Sequence, residues 1–196
     1  MEIKRRSKLL RNIFITAAAL LLVFIVISNI PAVLKLVYPL KYKEYVYKYS
    51  AEYNIDPYLV FSIMKAESSF NTGAVSRKDA RGLMQITKST GQWAANKIGI
   101  DAYTFESLHN PETNIRIGCW YLNWLRAYFQ NESNSDNTDL VIAAYNSGSG
   151  SVSGWLKDKS LSSTGYTLEK IPYRETSRFL KRVKNNISMY KRLYES

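Results

Sequence analysis

Residues 56–70 read D-P-Y-L-V-F-S-I-M-K-A-E-S-S-F, and they carry the strongest helix signal in the chain. An aspartate followed by proline is a strong start signal for a helix, because the acid caps free amide groups and proline fits the first turn. The apolar residues that follow recur at intervals of three and four, the period of one helical face. The stretch therefore predicts a helix from Pro57 to about Ser69 with one side against a core.

Glu67 falls on the apolar face of this predicted helix. It lies three residues after Met64, four after Ile63 and seven after Val60. A carboxylate among apolar side chains is poorly solvated, so its pKa should rise toward the value of a general acid near neutral pH. A glutamate turned into solvent at the helix end fits the same helical phase equally well, so position alone leaves both interpretations open.

Similar signals recur along the chain and predict an essentially all-α domain. Apolar periodicity, capping residues and proline at helix starts predict further helices over 41–53, 89–98, 110–129, 138–145 and 175–194. Thr138 or Asp136 is the expected cap of the 138–145 helix. Loops are predicted over 130–137 and 160–165, and the glycines at 148, 150 and 154 predict a turn-rich passage. No alternation typical of a strand stands out.

The N-terminus predicts a single transmembrane helix. Every residue from 13 to 27 is apolar except Thr16, and polar residues at the edges bring the span close to the ~20 residues that cross a bilayer. Five basic residues and one acid precede it, which places the N-terminus in the cytoplasm and the remainder outside the cell membrane. A cleaved secretory signal is the alternative, but no small-x-small cleavage site ends the run.

These signals predict four segments. They are a basic cytoplasmic tail (1–12), a transmembrane anchor (13–30), a juxtamembrane linker (31–41) and one catalytic domain (42–196). Of the 196 residues one is a cysteine and one a histidine, which excludes an intrachain disulfide and a multi-histidine metal cluster. We expect no cofactor and no metal.

The net charge of +11 suits an anionic polymer as partner. A domain outside the membrane would rarely meet nucleic acid, whereas cell-wall polymers and anionic lipid headgroups lie within reach. An ordinary solvated basic surface gives the same balance, so the charge alone does not decide the partner.

Five motifs follow one another in a defined order. They are Glu67-Ser68 with Ser76 downstream, Gly82-Leu83-Met84-Gln85, Asn114-Ile115-x-x-Gly118-x-x-Tyr121-Leu122, Ala143-Ala144-Tyr145-Asn146-x-Gly148, and Ile171-Pro172-Tyr173-x-Glu175-Thr176. In this order and spacing the chain resembles the soluble lytic transglycosylase family, whose catalytic domain is similar to goose-type lysozyme. The resemblance covers roughly residues 42–194.

The resemblance implies a lysozyme-like helical domain with a groove for peptidoglycan glycan strands of alternating N-acetylglucosamine and N-acetylmuramic acid. Glu67 matches the family's catalytic glutamate. Six further residues match positions that lie near the cleaved bond or hold the glycan: Ser76, Gln85, Tyr145, Asn146, Tyr173 and Glu175. Amide, hydroxyl and aromatic groups suit a neutral, acetamido-bearing sugar chain.

The sequence departs from the family pattern at a few positions. Asp79 stands where the family usually has glycine, Thr87-Lys88 replaces an apolar residue and proline, and Ser147 replaces an alanine. None of these changes removes the acid. Thr87 lies at a position that contacts ligand in relatives, so the details of sugar binding are open.

Glycoside hydrolysis normally uses two carboxylates, whereas these motifs supply one catalytic carboxyl. In the family that glutamate protonates the glycosidic oxygen and then accepts the proton of the muramic acid 6-hydroxyl, which leaves a 1,6-anhydro ring. A lysozyme that delivers water with Glu175 or Asp79 is one alternative. A wall-binding membrane module without turnover is another. The sequence names no protein partner.

Overall fold

The computed structural model describes residues 2–130 and 137–195, and within them the chain is helical. The helices are α1 (Glu2–Val37), α2 (Lys43–Glu52), α3 (Pro57–Ser68), α4 (Lys88–Ile98), a 3-10 helix (Phe105–His109), α5 (Pro111–Tyr128), α6 (Thr138–Ser147), α7 (Ser149–Lys157) and α8 (Arg174–Tyr194). In these described ranges the only β pairing is two isolated bridges, between residues 75 and 81 and between 81 and 86. The all-α prediction is confirmed.

The chain divides into two compact units, Met1–Pro39 and Leu40–Ser196. The first contains α1, whose apolar part, Phe14–Val37, has 24 residues. At 1.5 Å per residue this part is roughly 36 Å long, enough to cross a ~30 Å hydrocarbon layer. The helix continues through Pro31 to Val37, so the first residues of the predicted linker are helical. Pro31 removes one backbone hydrogen bond and its ring crowds the carbonyl of residue 27, yet the helix continues through the apolar residues beyond it.

The second unit is built around α3, which packs against α8 and α2. Helix α6 lies between α8, α7 and α5, and α5 also contacts α2 and α4. The core is apolar and includes the fully buried side chains of Phe61, Ile63, Met64, Leu83, Met84, Ile115, Leu122, Ile142, Phe179 and Tyr190. Burial of this apolar surface is the main source of stability for the fold.

Capping side chains fix where the predicted helices begin. The carboxylate of Asp56 accepts a hydrogen bond from the Tyr58 amide at 2.8 Å, and proline follows it as the sequence predicts. Asn110 caps α5 in the same way, through the Thr113 amide at 3.0 Å. Thr87 caps α4, which therefore starts at Lys88, one residue earlier than predicted.

The structure differs from the sequence prediction mainly after residue 146. The passage with three glycines contains α7, because Val152 and Trp155 lie three residues apart and are buried together on one face. Helix α6 begins at Thr138 after Asn137, whose side chain makes no capping bond. The alternative cap, Asp136, and most of the predicted 130–137 loop lie outside the described residues.

Candidate active site

Glu67 lies in the last turn of α3, half-buried against the core. Burial raises the pKa of its carboxyl from 4.5 to about 7; the nearby cation of Arg182 opposes this rise and the carboxylate of Glu175 adds to it. The cause is the one expected from the apolar face, since desolvation disfavours the charged form. At neutral pH this carboxyl can both donate and accept a proton.

A hydrogen bond connects the end of α3, next to Glu67, to the loop that follows this helix. The hydroxyl of Ser68 donates to the Leu83 carbonyl at 2.7 Å, which links the residue after Glu67 to the Gly82–Gln85 motif. Gly82 adopts a φ of 75°, and a Cβ at this position would overlap the backbone oxygen of Leu108. Only glycine fits this close approach without strain.

Asn114 organises the same loop from the core side. Its side chain is fully buried, accepts from the Met84 amide at 2.8 Å, and donates to the carbonyls of Arg81 at 3.0 Å and Leu108 at 2.8 Å. A buried amide with three satisfied bonds holds its partners firmly, because each lost bond would leave a desolvated polar group. Asn114 therefore positions the backbone that carries Gln85.

Gln85 has a left-handed backbone with a φ of 49° and lies in this loop. Its side-chain nitrogen donates to the Ala74 carbonyl at 3.1 Å and to the Gly82 carbonyl at 2.9 Å. Both amide hydrogens are thus committed to the backbone, so its side-chain oxygen is the atom left to receive a ligand donor.

Tyr145 and Asn146, near the end of α6, form hydrogen bonds with the loop that carries Gln85 and with α8. The hydroxyl of Tyr145 donates to the Met84 carbonyl at 2.7 Å, and burial together with the nearby Glu67 raises the pKa of this phenol. The side-chain oxygen of Asn146 accepts from the Thr176 hydroxyl at 2.8 Å, which joins α6 to α8. This bond orients the Asn146 amide.

Three of the predicted substrate-binding residues line one cleft of about 170 Å³. They are Gln85, Tyr145 and Asn146, and with them lie Ile86, Thr87, Thr90, Tyr121 and Gly148. The cleft is flanked by hydroxyl, amide and aromatic groups, which suit a sugar ring. Glu67 is outside the lining of this cleft, but it is near enough to Tyr145 for its charge to raise the pKa of the Tyr145 hydroxyl.

The other predicted residues lie outside the lining of this cleft. Ser76 is exposed, and its hydroxyl accepts from the Ala80 amide at 3.0 Å to close a turn. Tyr173 is 55% exposed and packs edge-on against Trp155 at 5.1 Å. Glu175 is exposed in the first turn of α8 and acts on Glu67 through its charge.

The acids of the hydrolytic alternative differ in their surroundings. Asp79 is exposed and pairs with Arg81 at 3.2 Å, while Arg81 also contacts Glu106. Asp79 adopts a φ of 58°, which explains why glycine suits this position in the family pattern. Of the two acids, Glu175 is the one that acts on the pKa of Glu67.

Three residues with a part in this site were missing from the predicted set. Asn114 and Thr176 stand inside the quoted motifs, so the motif itself was the available signal. Arg182, which affects the charge of Glu67, lies seven residues after Glu175, two helical turns along α8. That spacing is visible in the sequence, but the packing of α8 on α3 is not.

Comparisons with known proteins agree with this architecture. Residues 44–165 match the Transglycosylase SLT domain family. The membrane-bound lytic murein transglycosylase C of Edwardsiella ictaluri is 34% identical over 176 residues, which cover 78% of this chain and 47% of that protein.

Two solved structures have the same fold. The 70 kDa soluble lytic transglycosylase of Escherichia coli superposes with a TM-score of 0.71 at 30% identity, covering 81% of this chain and 25% of that one. An inactive Glu→Gln variant of the lytic transglycosylase Slt from Pseudomonas aeruginosa gives a TM-score of 0.70 at 28% identity with the same coverage. This chain spans less than half the length of each of these relatives. With its SLT domain match over residues 44–165, the chain belongs to the Transglycosylase SLT domain family.

Proposed function

We propose that this chain is a lytic transglycosylase that cleaves peptidoglycan glycan strands between N-acetylmuramic acid and N-acetylglucosamine. The observation that carries the proposal is a half-buried glutamate with a pKa of about 7 whose charge acts on Tyr145, a residue that lines a cleft of amide, hydroxyl and aromatic groups. Relatives with the same domain bear the name lytic murein transglycosylase, and a Glu→Gln variant of one of them is inactive.

Glu67 acts twice in the proposed reaction. Its protonated carboxyl gives a proton to the glycosidic oxygen as the bond from the muramic acid anomeric carbon breaks. The resulting carboxylate then takes the proton of the 6-hydroxyl on the same sugar, whose oxygen bonds to the anomeric carbon. The products are a free 4-hydroxyl on N-acetylglucosamine and a 1,6-anhydro ring, and Glu67 ends protonated as it began.

An intramolecular nucleophile explains why one carboxyl is sufficient. The 6-hydroxyl is already held close to the anomeric carbon, so no second base is required to position water. In this scheme Gln85, Tyr145 and Asn146 hold the sugars in the cleft, and Ser76, Tyr173 and Glu175 contact the strand near the cleaved bond. Dipoles such as the Ser76 hydroxyl ease the positive charge that develops on the sugar.

The second candidate is a lysozyme, favoured by the charge of Glu175 near Glu67. Two carboxylates that share one site are the normal requirement for hydrolysis of this bond by water. Glu175 would then serve as the base that activates water.

The experiment that tests the assignment of the acid is Glu67→Gln in the full chain. Glutamine keeps the shape of the side chain and loses the transferable proton, so isolated cell walls should still bind but release no soluble muropeptides. Glu44→Gln, an exposed glutamate in the first turn of α2, is the matched control and should retain full release. Release at the normal rate by Glu67→Gln would overturn the proposal.

We further propose that α1 anchors the protein in the cytoplasmic membrane, with the catalytic domain outside. The support is its apolar length and the basic residues that precede it. The full chain should stay with membranes after a salt wash, whereas the compact unit from Leu40 should be soluble. A mature N-terminus located after Pro31 would show a cleaved signal instead.

A further inference from the structure

A row of aromatic rings starts in the cleft and continues along α5. The ring of Tyr121 lies 5.6 Å from that of Tyr145, and both residues line the cleft. Trp124 stacks nearly parallel to Tyr121, with ring centroids 6.0 Å apart and an angle of 8°. Tyr128 follows, 5.1 Å from Trp124. We call these four residues the aromatic row.

The row is a continuous surface feature. Tyr121, Trp124 and Tyr128 are spaced by three and four residues, so they share one face of α5 and cover roughly 10 Å of its length. Trp93 of α4 packs edge-on against Trp124 at 4.9 Å and supports the row from one side. Tyr145, Tyr121 and Trp124 are partly buried, and Tyr128 at the outer end is 49% exposed.

The row ends at a second, larger cavity of about 510 Å³. Three aromatic residues line it, of which Phe129 is buried, whereas Tyr128 and Tyr166, the latter 53% exposed, present their rings to solvent. Hydroxyl groups of Ser153 and Thr164 and the ammonium of Lys157 belong to the same lining. The hydroxyls of Tyr128 and Ser153 lie 3.3 Å apart, so they are already aligned as a polar edge beside the ring.

These groups are the ones that recognise a sugar. The C–H faces of a pyranose bury apolar surface on an aromatic ring, and its hydroxyl and acetamido groups pair with hydroxyls and an ammonium. A small ligand would bind in the larger cavity alone. A polymer that enters the cleft would contact the aromatic row and the larger cavity as well, because the row extends from the cleft to this cavity.

We propose that the aromatic row and the cavity beyond it form a distal binding region for the glycan strand, where sugar units remote from the cleaved bond stack on Tyr128 and Tyr166. The inference rests on the proposed function, since it concerns the same substrate. It adds that affinity depends on strand length and that this dependence resides in two exposed tyrosines.

The test measures binding, so that it is independent of turnover. The parent is the full-length Glu67→Gln protein in detergent, and the probes are a trisaccharide of N-acetylglucosamine and an oligosaccharide more than twice as long. We expect the parent to bind the long probe more tightly. Tyr128→Ala and Tyr166→Ala should each lower the affinity for the long probe about fivefold to tenfold and leave the affinity for the trisaccharide unchanged. Tyr47→Ala, an exposed tyrosine on α2, is the control and should bind as the parent does.

The outcomes separate the two proposals. If the parent binds both probes with equal affinity, or if both tyrosine variants keep the affinity for the long probe, the distal region is wrong and the proposed function stands. If the variants lose affinity for both probes equally, the tyrosines act on the cleft and the distal region is also wrong. If the parent binds neither probe, both proposals are overturned.

Discussion

The hydroxyl of Tyr145 donates a hydrogen bond of 2.7 Å to the backbone carbonyl of Met84. This single bond joins α6 to the loop that carries Gln85, and both residues line the cleft. The Met84 carbonyl is buried, so the tyrosine supplies a partner that water cannot easily replace.

Tyr145→Phe removes this donor and leaves the ring in place. We expect a loss of about 1–2 kcal/mol in the free energy of unfolding, because the Met84 carbonyl becomes unsatisfied. The loop should also loosen, so KM should rise more than kcat falls. Chemical denaturation and steady-state kinetics measure the two effects, and unchanged values in both would show that the bond does not hold the loop.

Gly82→Ala tests the close approach between the motif loop and the 3-10 helix. A Cβ would overlap the Leu108 carbonyl oxygen at a positive φ, so we expect destabilisation by roughly 2–4 kcal/mol. Gly150→Ala is the matched control, because a Cβ there meets open space in α7. It should be neutral or stabilise by about 0.5–1 kcal/mol. Equal thermal midpoints for the two variants would contradict this account of Gly82.

Thr176→Val tests the link between α6 and α8. The variant keeps the shape of a buried side chain and removes the hydrogen bond to Asn146, so stability should fall by about 1 kcal/mol and KM should rise several-fold. Thr176→Ser restores the hydroxyl and should recover most of the lost affinity for substrate. A serine variant that behaves like the valine variant would show that packing, and not the hydrogen bond, matters here.

The raised pKa of Glu67 predicts how activity depends on pH. The proton donor is present below about pH 7 and is lost as pH rises through that value, so the rate should fall on the alkaline side. Arg182→Gln removes a cation that lowers this pKa and should move the alkaline limb to higher pH. Arg178→Gln, an exposed arginine one turn earlier on α8, is the control and should leave the limb unmoved.

The same pKa has a consequence for stability. Because the folded state holds the Glu67 proton more tightly than the unfolded chain, the stabilising contribution is complete below about pH 4.5 and lost as pH rises through about 7. Glu67→Gln should therefore be more stable than the parent above about pH 7, by roughly 3.4 kcal/mol at most. If the thermal midpoints of Glu67→Gln and of the parent change in parallel between about pH 4.5 and about pH 8, the Glu67 charge is not buried.

Much of this fold was accessible from the sequence because its signals are local. Asp56-Pro57 and Asn110-Pro111 set the starts of α3 and α5 through capping bonds between neighbouring residues. Helix α7 was missed because Gly150 and Gly154 weaken its local preference, and the burial of Trp155 that stabilises it depends on the rest of the fold. The position of Glu67 on the apolar face of its helix was also visible from neighbouring residues. Its burial depends on the packing of α8 against α3, which the sequence does not show.

The candidate site was less accessible for the same reason. Gln85, Tyr145 and Asn146 are far apart in the sequence, and the motifs, not their periodicity, grouped them. The bonds that hold the group are long-range, such as those from Asn114 to the loop 30 residues earlier. The electrostatic effect of Arg182 on Glu67 and the aromatic row beyond the cleft also arise only when the helices pack.

The chemistry of the released glycan ends distinguishes a transglycosylase from a lysozyme. Cell walls are digested by the full chain in water labelled with heavy oxygen, and the muropeptides are identified by mass spectrometry before and after borohydride reduction. We expect 1,6-anhydromuramic acid ends, one water lighter than hydrolysed ends, free of label and resistant to borohydride, because the 6-hydroxyl attacks once Glu67 has protonated the leaving oxygen. Predominantly reducible ends that carry the label at the anomeric carbon would contradict it and support the lysozyme alternative.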